Sequence, residues 1–383
     1  MQPGCAVSDF AMKRPWQLSP PVLWLRERIA ALDPALLAIV GALALVGLVT
    51  LYSAANDFPW RFTDQLRNFA IAAVVMFVAA NVPPTTLQKL AAPAYLLGVV
   101  LLVGVEVAGV TVKGATRWLD IGVTRIQPSE MMRLALPLML AWYFHKRDGA
   151  RRPLDFLVAA VLMAVPVALI VKQPDLGTAV LVLAAGVYVI FFAGVPWKWL
   201  TVLGLGGLAM LPVLWTMMHD YQRTRVLTLI DPSTDPLGKG FHTLQATIAI
   251  GSGGAFGKGW MQGTQPHLEF RPERTSDFIF AVYSEEFGLV GNVVLVLLFF
   301  ALVARAFQIA INAPTLFARL LAASIGMIMF TYAFVNMGMV SGILPVVGVP
   351  LPFISYGGTA LVTLGMACGL LMAIAANRKL VQS

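Results

Sequence analysis

Ten apolar runs, most of them about 20 residues long, restrict this chain to one class of fold. A run of this length crosses the hydrocarbon core of a bilayer as a helix, in which each backbone polar group finds its partner. The chain is 58% hydrophobic and 12% charged, whereas soluble domains carry about 25% charged residues. The runs are continuous rather than alternating, which excludes an outer-membrane barrel. We therefore predict an all-α polytopic membrane protein with spans near residues 34–54, 66–82, 91–110, 127–144, 154–171, 176–194, 197–218, 277–304, 316–340 and 355–375.

The distribution of Lys and Arg predicts the orientation, because these residues collect in cytoplasmic loops. With the N-terminus inside, the inner segments hold 14 of them and the short outer loops hold 6. We therefore expect a cytoplasmic tail over residues 1–33, a membrane domain over 34–380 and both termini in the cytoplasm. The longest loop, residues 219–276 between the seventh and eighth spans, is expected outside. The net charge of +8 follows mostly from this bias and does not indicate nucleic-acid binding.

In this orientation every even-numbered span begins at the outer face. The N-terminal end of a helix carries about half a positive charge and free N–H groups. Spans 4, 6, 8 and 10 would therefore direct positive ends toward the outer leaflet, a setting that suits a phosphate group.

The loop before the fourth span concentrates charge. Glu130 has a structural explanation, because an acid suits the first turn of a helix. Arg133 lies three residues later, where the two side chains can pair, and a charged pair inside a span normally faces the bundle interior or a wet cavity. Trp118 by itself is typical of an interfacial aromatic belt. Other polar candidates in this loop are Lys113, Arg117, Arg125 and Gln127.

Two further segments contain isolated candidates. Asp175 precedes the sixth span, where a helix-capping role and a binding role are both open. Residues 251–259 are rich in glycine but lack the pattern of a phosphate-binding loop. We expect a flexible outer loop there, with Lys258 as a substrate contact. Histidine spacing predicts no metal site.

Asp277 ends the densest charged segment, which also contains Arg274, and opens into the apolar run 278–283. A carboxylate costs roughly 2.5–3.5 kcal/mol at the centre of a bilayer and less near its surface. Capping of the next helix is the structural alternative for Asp277. Thr275 or Ser276 could cap that helix without a charge, which favours a functional role for the carboxylate.

Several of these segments together resemble the SEDS family (shape, elongation, division and sporulation) over residues 34–380. The discriminating stretches 218–223, 263–265 and 338–348 resemble its elongation branch rather than its division branch. The family motifs are matched by residues 113–118, 126–130, 173–178, 248–254, 272–280, 285–288 and 350–358.

The resemblance implies a peptidoglycan glycosyltransferase that uses lipid II at the outer face of the bacterial cytoplasmic membrane. It implies Asp277 as the catalytic carboxylate and a class B penicillin-binding protein, with other elongation-complex membrane proteins, as partners. At position 133 we expect Lys in many relatives. No ligand cluster in the sequence demands a cofactor, although a divalent cation, Mg²⁺ or Mn²⁺, could bridge a pyrophosphate. We assign substrate contacts to Lys113, Arg117, Trp118, Arg125, Gln127, Glu130, Arg133, Asp175, Lys258 and Arg274.

The main alternative is transport. Acids and bases inside the bundle, including Glu285 and Glu286, also suit a lipid II flippase or a proton-coupled carrier. The charges gather at the outer face rather than at the midplane, and no inverted repeat is evident, which favours the enzyme. A scaffold for cell-wall enzymes is the third class.

Overall fold

The structure is a computed structural model, and it describes most of the chain. The described residues are 28–29, 31–55, 58–112, 115–120, 122, 125–147, 152–173, 175–217, 223, 227, 239–263 and 275–381.

Eleven helices with defined bounds lie in these residues, and ten of them correspond to the predicted spans. The additional helix lies inside the long loop, where hydropathy alone predicts no span. The helices are α1 Pro34–Ala54, α2 Pro59–Ala80, α3 Pro84–Ala108, α4 Pro128–Lys146, α5 Pro153–Lys172, α6 Leu176–Phe192, α7 Trp197–Met217, α8 Lys239–Ser252, α9 Ile279–Ile311, α10 Leu316–Val340 and α11 Gly358–Val381.

The first five helices all begin with proline, which is preorganised for the first helical position. This explains why α2 and α3 begin seven residues earlier than their predicted spans. Their first turns are too polar to register as membrane-spanning, whereas Pro59 and Pro84 start the helix regardless of hydropathy. Asp33 caps α1 by accepting a hydrogen bond from the Leu36 amide at 2.9 Å.

Small residues allow α2 and α11 to pack closely. A Cβ atom at Gly369 would lie 2.4 Å from the Met76 carbonyl oxygen, and one at Gly365 would lie 2.8 Å from the Ala72 carbonyl oxygen. These two glycines form a G-x-x-x-G pair, which permits close backbone approach between membrane helices. Helix α10 is the most buried span and contacts α9, α6, α4 and α11.

Helix α9 is broken at Gly288, where φ is 64° and ψ is −159°. Residues 279–286, before the break, are buried on every face, whereas the helix after the break exposes one apolar face. Four backbone hydrogen bonds of 2.9–3.1 Å join residues 254–259 to residues 285–290 at the break. The prediction of a flexible loop at 251–259 is therefore wrong, because this loop is docked against α9.

A small antiparallel sheet connects α3 to α4. Its strands, β1 Val110–Val112, β2 Ala115–Asp120 and β3 Arg125–Ile126, are ordered β1-β2-β3. Val110 pairs with Trp118, and Asp120 pairs with Arg125. The sheet holds β2 beside the N-terminal end of α4.

Seven helices of the described region are long and apolar enough to cross a membrane: α1, α2, α3, α5, α9, α10 and residues 358–377 of α11. Helix α6 is apolar but has only 17 residues. The chain is therefore a helical membrane-integral protein, while the count of ten spans stays a prediction.

Candidate active site

A cavity of about 200 Å³ lies where four helices begin. The first turns of α4, α6 and α11 and the turn before α9 contribute to its wall. This agrees with the expectation that the even-numbered spans begin on one face. Its polar lining comprises Arg117, Trp118, Gln127, Glu130, Arg133, Asp175, Thr178, Asp277, Tyr356 and Thr359.

Asp277 reaches this cavity from the turn before α9 and is half-buried. The N-cap residue of α9 is Phe278, and its side chain makes no capping hydrogen bond. Asp277 precedes this residue, so it does not occupy the N-cap position of α9. Upstream in the same turn, the Thr275 hydroxyl accepts a hydrogen bond from Arg61 Nη1 at 2.8 Å, and the Thr275 carbonyl accepts one from the Tyr356 amide at 2.9 Å.

Asp175 connects three elements around the cavity. Its carboxylate caps α6 by accepting from the Thr178 amide at 3.2 Å and from the Thr178 hydroxyl at 2.9 Å. It also accepts from Gln127 Nε2 at 3.2 Å and lies 3.6 Å from Arg117 Nη1. Asp175 therefore caps α6 and also contacts side chains of the cavity wall, so the two roles that the sequence left open do not exclude each other.

Arg133 and Glu130 form the deeper part of the site. Arg133 Nη1 donates to Glu130 Oε2 at 2.6 Å, and Nη2 donates to the Thr178 hydroxyl at 3.0 Å. Arg133 also donates to the Tyr332 hydroxyl, and its guanidinium lies 5.1 Å from the centre of that ring. Both partners of the ion pair are buried, so the pair is a fixed part of the bundle wall rather than a mobile surface contact.

The structure does not bring every candidate to the cavity. Lys258 pairs with the fully buried Glu285, Nζ to Oε1 at 2.7 Å, at the docked loop beside the α9 break. Arg125 lies on β3, which places its backbone beside Asp120. Lys113 and Arg274 lie outside the described residues.

The described lining holds two guanidinium groups and three carboxylates, and both arginines form ion pairs with carboxylates. A bound phosphate would therefore compete with Asp175 for Arg117, whose side chain is 32% exposed. The helix N-termini add partial positive charge at the same wall. Burial raises the pKa of the Tyr356 phenol, which keeps its hydroxyl protonated. Within the described residues, no three His, Cys, Asp or Glu side chains converge as metal ligands.

Sequence reasoning missed several residues of the site. Thr178 and Tyr332 come from α6 and α10, and Tyr356 comes from the segment just before α11, all distant in sequence from the loop before α4. Gly348 also lines the cavity, and a Cβ atom there would lie 3.3 Å from Asp277 Oδ2. The signal that could have found Gly348 is the cluster of Pro and Gly residues at 345–352.

Comparison with known proteins agrees with this architecture. The chain is 45% identical over 350 residues to the peptidoglycan glycosyltransferase MrdB of Escherichia coli K12, covering 91% of this chain and 95% of that protein. It is 35% identical over 366 residues to a probable peptidoglycan glycosyltransferase FtsW of Trichlorobacter lovleyi, covering 92% and 95%.

Solved structures show the same fold. A chain from a study of the structural coordination of polymerization and crosslinking by a peptidoglycan synthase complex is 34% identical, with a TM-score of 0.79 over 90% of this chain and 98% of that one. The rod shape determining protein RodA of Thermus thermophilus is 32% identical, with a TM-score of 0.69 over 90% and 97%. The profile of the cell cycle protein family FTSW_RODA_SPOVE matches residues 31–380, and the chain belongs to this family.

Proposed function

We propose that this protein is a peptidoglycan glycosyltransferase that polymerises lipid II during cell elongation. The observation that carries the proposal is one cavity lined by the Asp277 carboxylate, by Arg117 and by the buried Glu130–Arg133 pair. The curated relatives named as peptidoglycan glycosyltransferases support this choice.

The reaction is a single inverting displacement. Asp277 acts as the general base and takes the proton from the 4-hydroxyl of the acceptor GlcNAc. The oxygen freed of its proton forms a bond to the anomeric carbon of the donor MurNAc, and the bond from that carbon to the phosphate oxygen breaks. The electron pair leaves with undecaprenyl pyrophosphate, and the α linkage becomes β. A positioned base contributes roughly 10²–10⁴ to the rate.

The pyrophosphate requires positive charge that is available to substrate. Arg117 serves this role because its side chain is partly exposed and its contact with Asp175, at 3.6 Å, is long for an ion pair. The converging helix N-termini add to the stabilisation of the departing anion. Arg133 is enclosed by protein groups, so we assign it to holding the wall of the site. Lys113, Arg125 and Arg274 remain proposed contacts for the phosphates, and Trp118 and Gln127 for the sugars.

The site faces the outer side of the cytoplasmic membrane in this proposal, with both termini in the cytoplasm. The charge distribution of the loops supports that orientation. A class B penicillin-binding protein is the proposed partner for crosslinking. The similarity to a chain from a peptidoglycan synthase complex that coordinates polymerization and crosslinking supports this partner.

Polymerisation of labelled lipid II by purified wild-type and Asp277→Asn proteins tests the proposal, with and without the partner. Asp64→Asn is the matched control, because Asp64 is a carboxylate near the start of α2 that pairs with Arg67 at 3.1 Å and does not line the cavity. We expect glycan chains from wild type and Asp64→Asn and none from Asp277→Asn. Chains from Asp277→Asn would refute the assignment, and leaflet exchange of lipid II without chains would identify a flippase instead.

A further inference from the structure

The turn that carries Asp277 is held by hydrogen bonds from outside its own helix. The Ser276 carbonyl accepts from Ser355 Oγ at 2.6 Å, and the Asp277 carbonyl accepts from Asn336 Nδ2 at 3.0 Å. With the contact between Thr275 and the Tyr356 amide, three successive carbonyls of the turn are bound to other elements. The direction of the Asp277 side chain is therefore set from outside α9.

Asn336 makes the contact nearest to the carboxylate. It is fully buried in α10, and the same Nδ2 atom also donates to the Val349 carbonyl at 2.6 Å. Only a group with two N–H donors on one atom can bridge two carbonyls in this way. An aspartate of the same shape would offer acceptors alone, and a leucine would offer neither.

The second acceptor belongs to the segment that lies beside the carboxylate. Val349 follows Gly348, whose backbone is close enough to Asp277 Oδ2 that a Cβ atom would lie at 3.3 Å. Gly348 has φ of 82°, a conformation that favours glycine. One amide thus holds both the backbone that carries the carboxylate and the segment against which the carboxylate rests.

We propose that Asn336 is a positioning residue for the Asp277 carboxylate, an inference that rests on the proposed glycosyltransferase function. A general base must lie within about 2.6–3.2 Å of the proton that it takes, and a displacement of about 1 Å can reduce the rate about 100-fold. Asn336 is not among the residues that line the cavity, and its side-chain amide bonds to backbone carbonyls. Its loss therefore lowers turnover and leaves substrate binding in place.

The test compares two variants of α10 in the purified full-length protein. Asn336→Leu keeps the number and branching of the side-chain heavy atoms and removes both donated hydrogen bonds. Ser324→Ala is the matched control, because Ser324 is also fully buried on α10 and donates to a backbone carbonyl, that of Ala185, at 3.1 Å. With labelled lipid II and rates normalised to folded protein, we expect kcat of Asn336→Leu to fall about 10- to 100-fold with KM within about twofold of wild type. Ser324→Ala keeps its kcat.

The outcomes separate this inference from the proposed function. If Asp277→Asn is inactive but Asn336→Leu keeps the wild-type kcat, the positioning role is refuted and the proposed function stands. An equal loss of kcat in Ser324→Ala would also refute it, because the effect would then follow from lost stability. Polymerisation by Asp277→Asn would overturn the proposed function and this inference together. Should Asn336→Leu not fold, Asn336→Ala removes the same two donated hydrogen bonds without added bulk and is judged by the same criteria.

Discussion

Replacing Gly288 by alanine tests whether the break in α9 and the docked loop form one fixed unit. Gly288 has φ of 64° and ψ of −159°, a region that is open essentially to glycine. A Cβ atom there would lie 2.3 Å from the Gly257 amide nitrogen and 2.8 Å from the Phe256 carbonyl carbon. Both neighbours are backbone atoms, so the loop cannot yield by changing a rotamer.

The expected cost follows from two terms. Holding alanine in this backbone region costs about 1–3 kcal/mol. Moving the loop away breaks some or all of the four backbone hydrogen bonds between residues 254–259 and 285–290, each worth about 0.5–1.5 kcal/mol. When all four bonds break, we expect Gly288→Ala to lose at least about 3 kcal/mol of stability. With an unfolding entropy of about 2.1 cal/mol/K per residue over 383 residues, each kcal/mol lowers the melting temperature by about 1.2 °C, so a loss of about 3 kcal/mol lowers it by about 4 °C.

Thermal melting of the purified protein in detergent measures the effect, and two other glycines act as controls. Gly254 also has a positive φ, 55°, but no atom lies within 4 Å of its Cβ position. Gly254→Ala therefore carries only the backbone strain, about 1–2 kcal/mol. Gly251 lies in α8 with equally open space, so Gly251→Ala should be neutral or stabilising by up to about 1 kcal/mol. A melting temperature of Gly288→Ala equal to that of Gly254→Ala would contradict the reasoning, since steric displacement of the loop would then cost nothing.

Two further substitutions probe the bundle itself. Arg133→Met leaves Glu130 buried without its ionic partner, so we expect thermal melting to show a loss of about 3–5 kcal/mol of stability. Arg133→Lys keeps the charge and should lose less. Equal melting temperatures for Arg133→Met and wild type would argue against a fixed buried pair. Gly369→Ala presses a methyl group against the Met76 carbonyl at 2.4 Å, and we expect about 1–3 kcal/mol of destabilisation. Gly41→Ala, with nothing within 4 Å, should show no such loss, and equal melting of these two variants would count against tight packing of α2 on α11.

Much of the candidate site was accessible from residue types and spacing. Asp277 stood out because a carboxylate next to a membrane helix is costly. Glu130 and Arg133 are three residues apart, which is a local relation that any helix satisfies. Asp175 was ambiguous between a cap and a ligand, and the structure gives it hydrogen bonds that serve the cap while it faces the cavity.

Lys258 shows where such reasoning fails. The sequence offered a lysine in a Gly-rich outer segment, which fits a phosphate contact equally well. In the structure two glycines of that segment serve close packing on α9: a Cβ atom at Gly257 would lie 2.0 Å from the Glu286 carbonyl oxygen, and one at Gly253 would lie 2.3 Å from the Ser284 carbonyl oxygen. Lys258 is then committed to Glu285. Nothing local in the sequence marks this contact, because its two halves are 27 residues apart.

Hydropathy and charge along the chain predict the class of protein, the approximate position of most spans and the end of the bundle at which charge gathers. Each of these depends on hydropathy or charge summed over neighbouring residues, because the composition of each segment governs whether and how it inserts into the bilayer. Three relations become visible only in the fold. Asp277 lies with Asp175, Arg133 and Gly348 at one cavity, α9 breaks at Gly288, and Asn336 holds the turn before α9. Those relations join residues far apart in the chain, and they depend on which helix faces pack together and on where glycine permits backbones to touch.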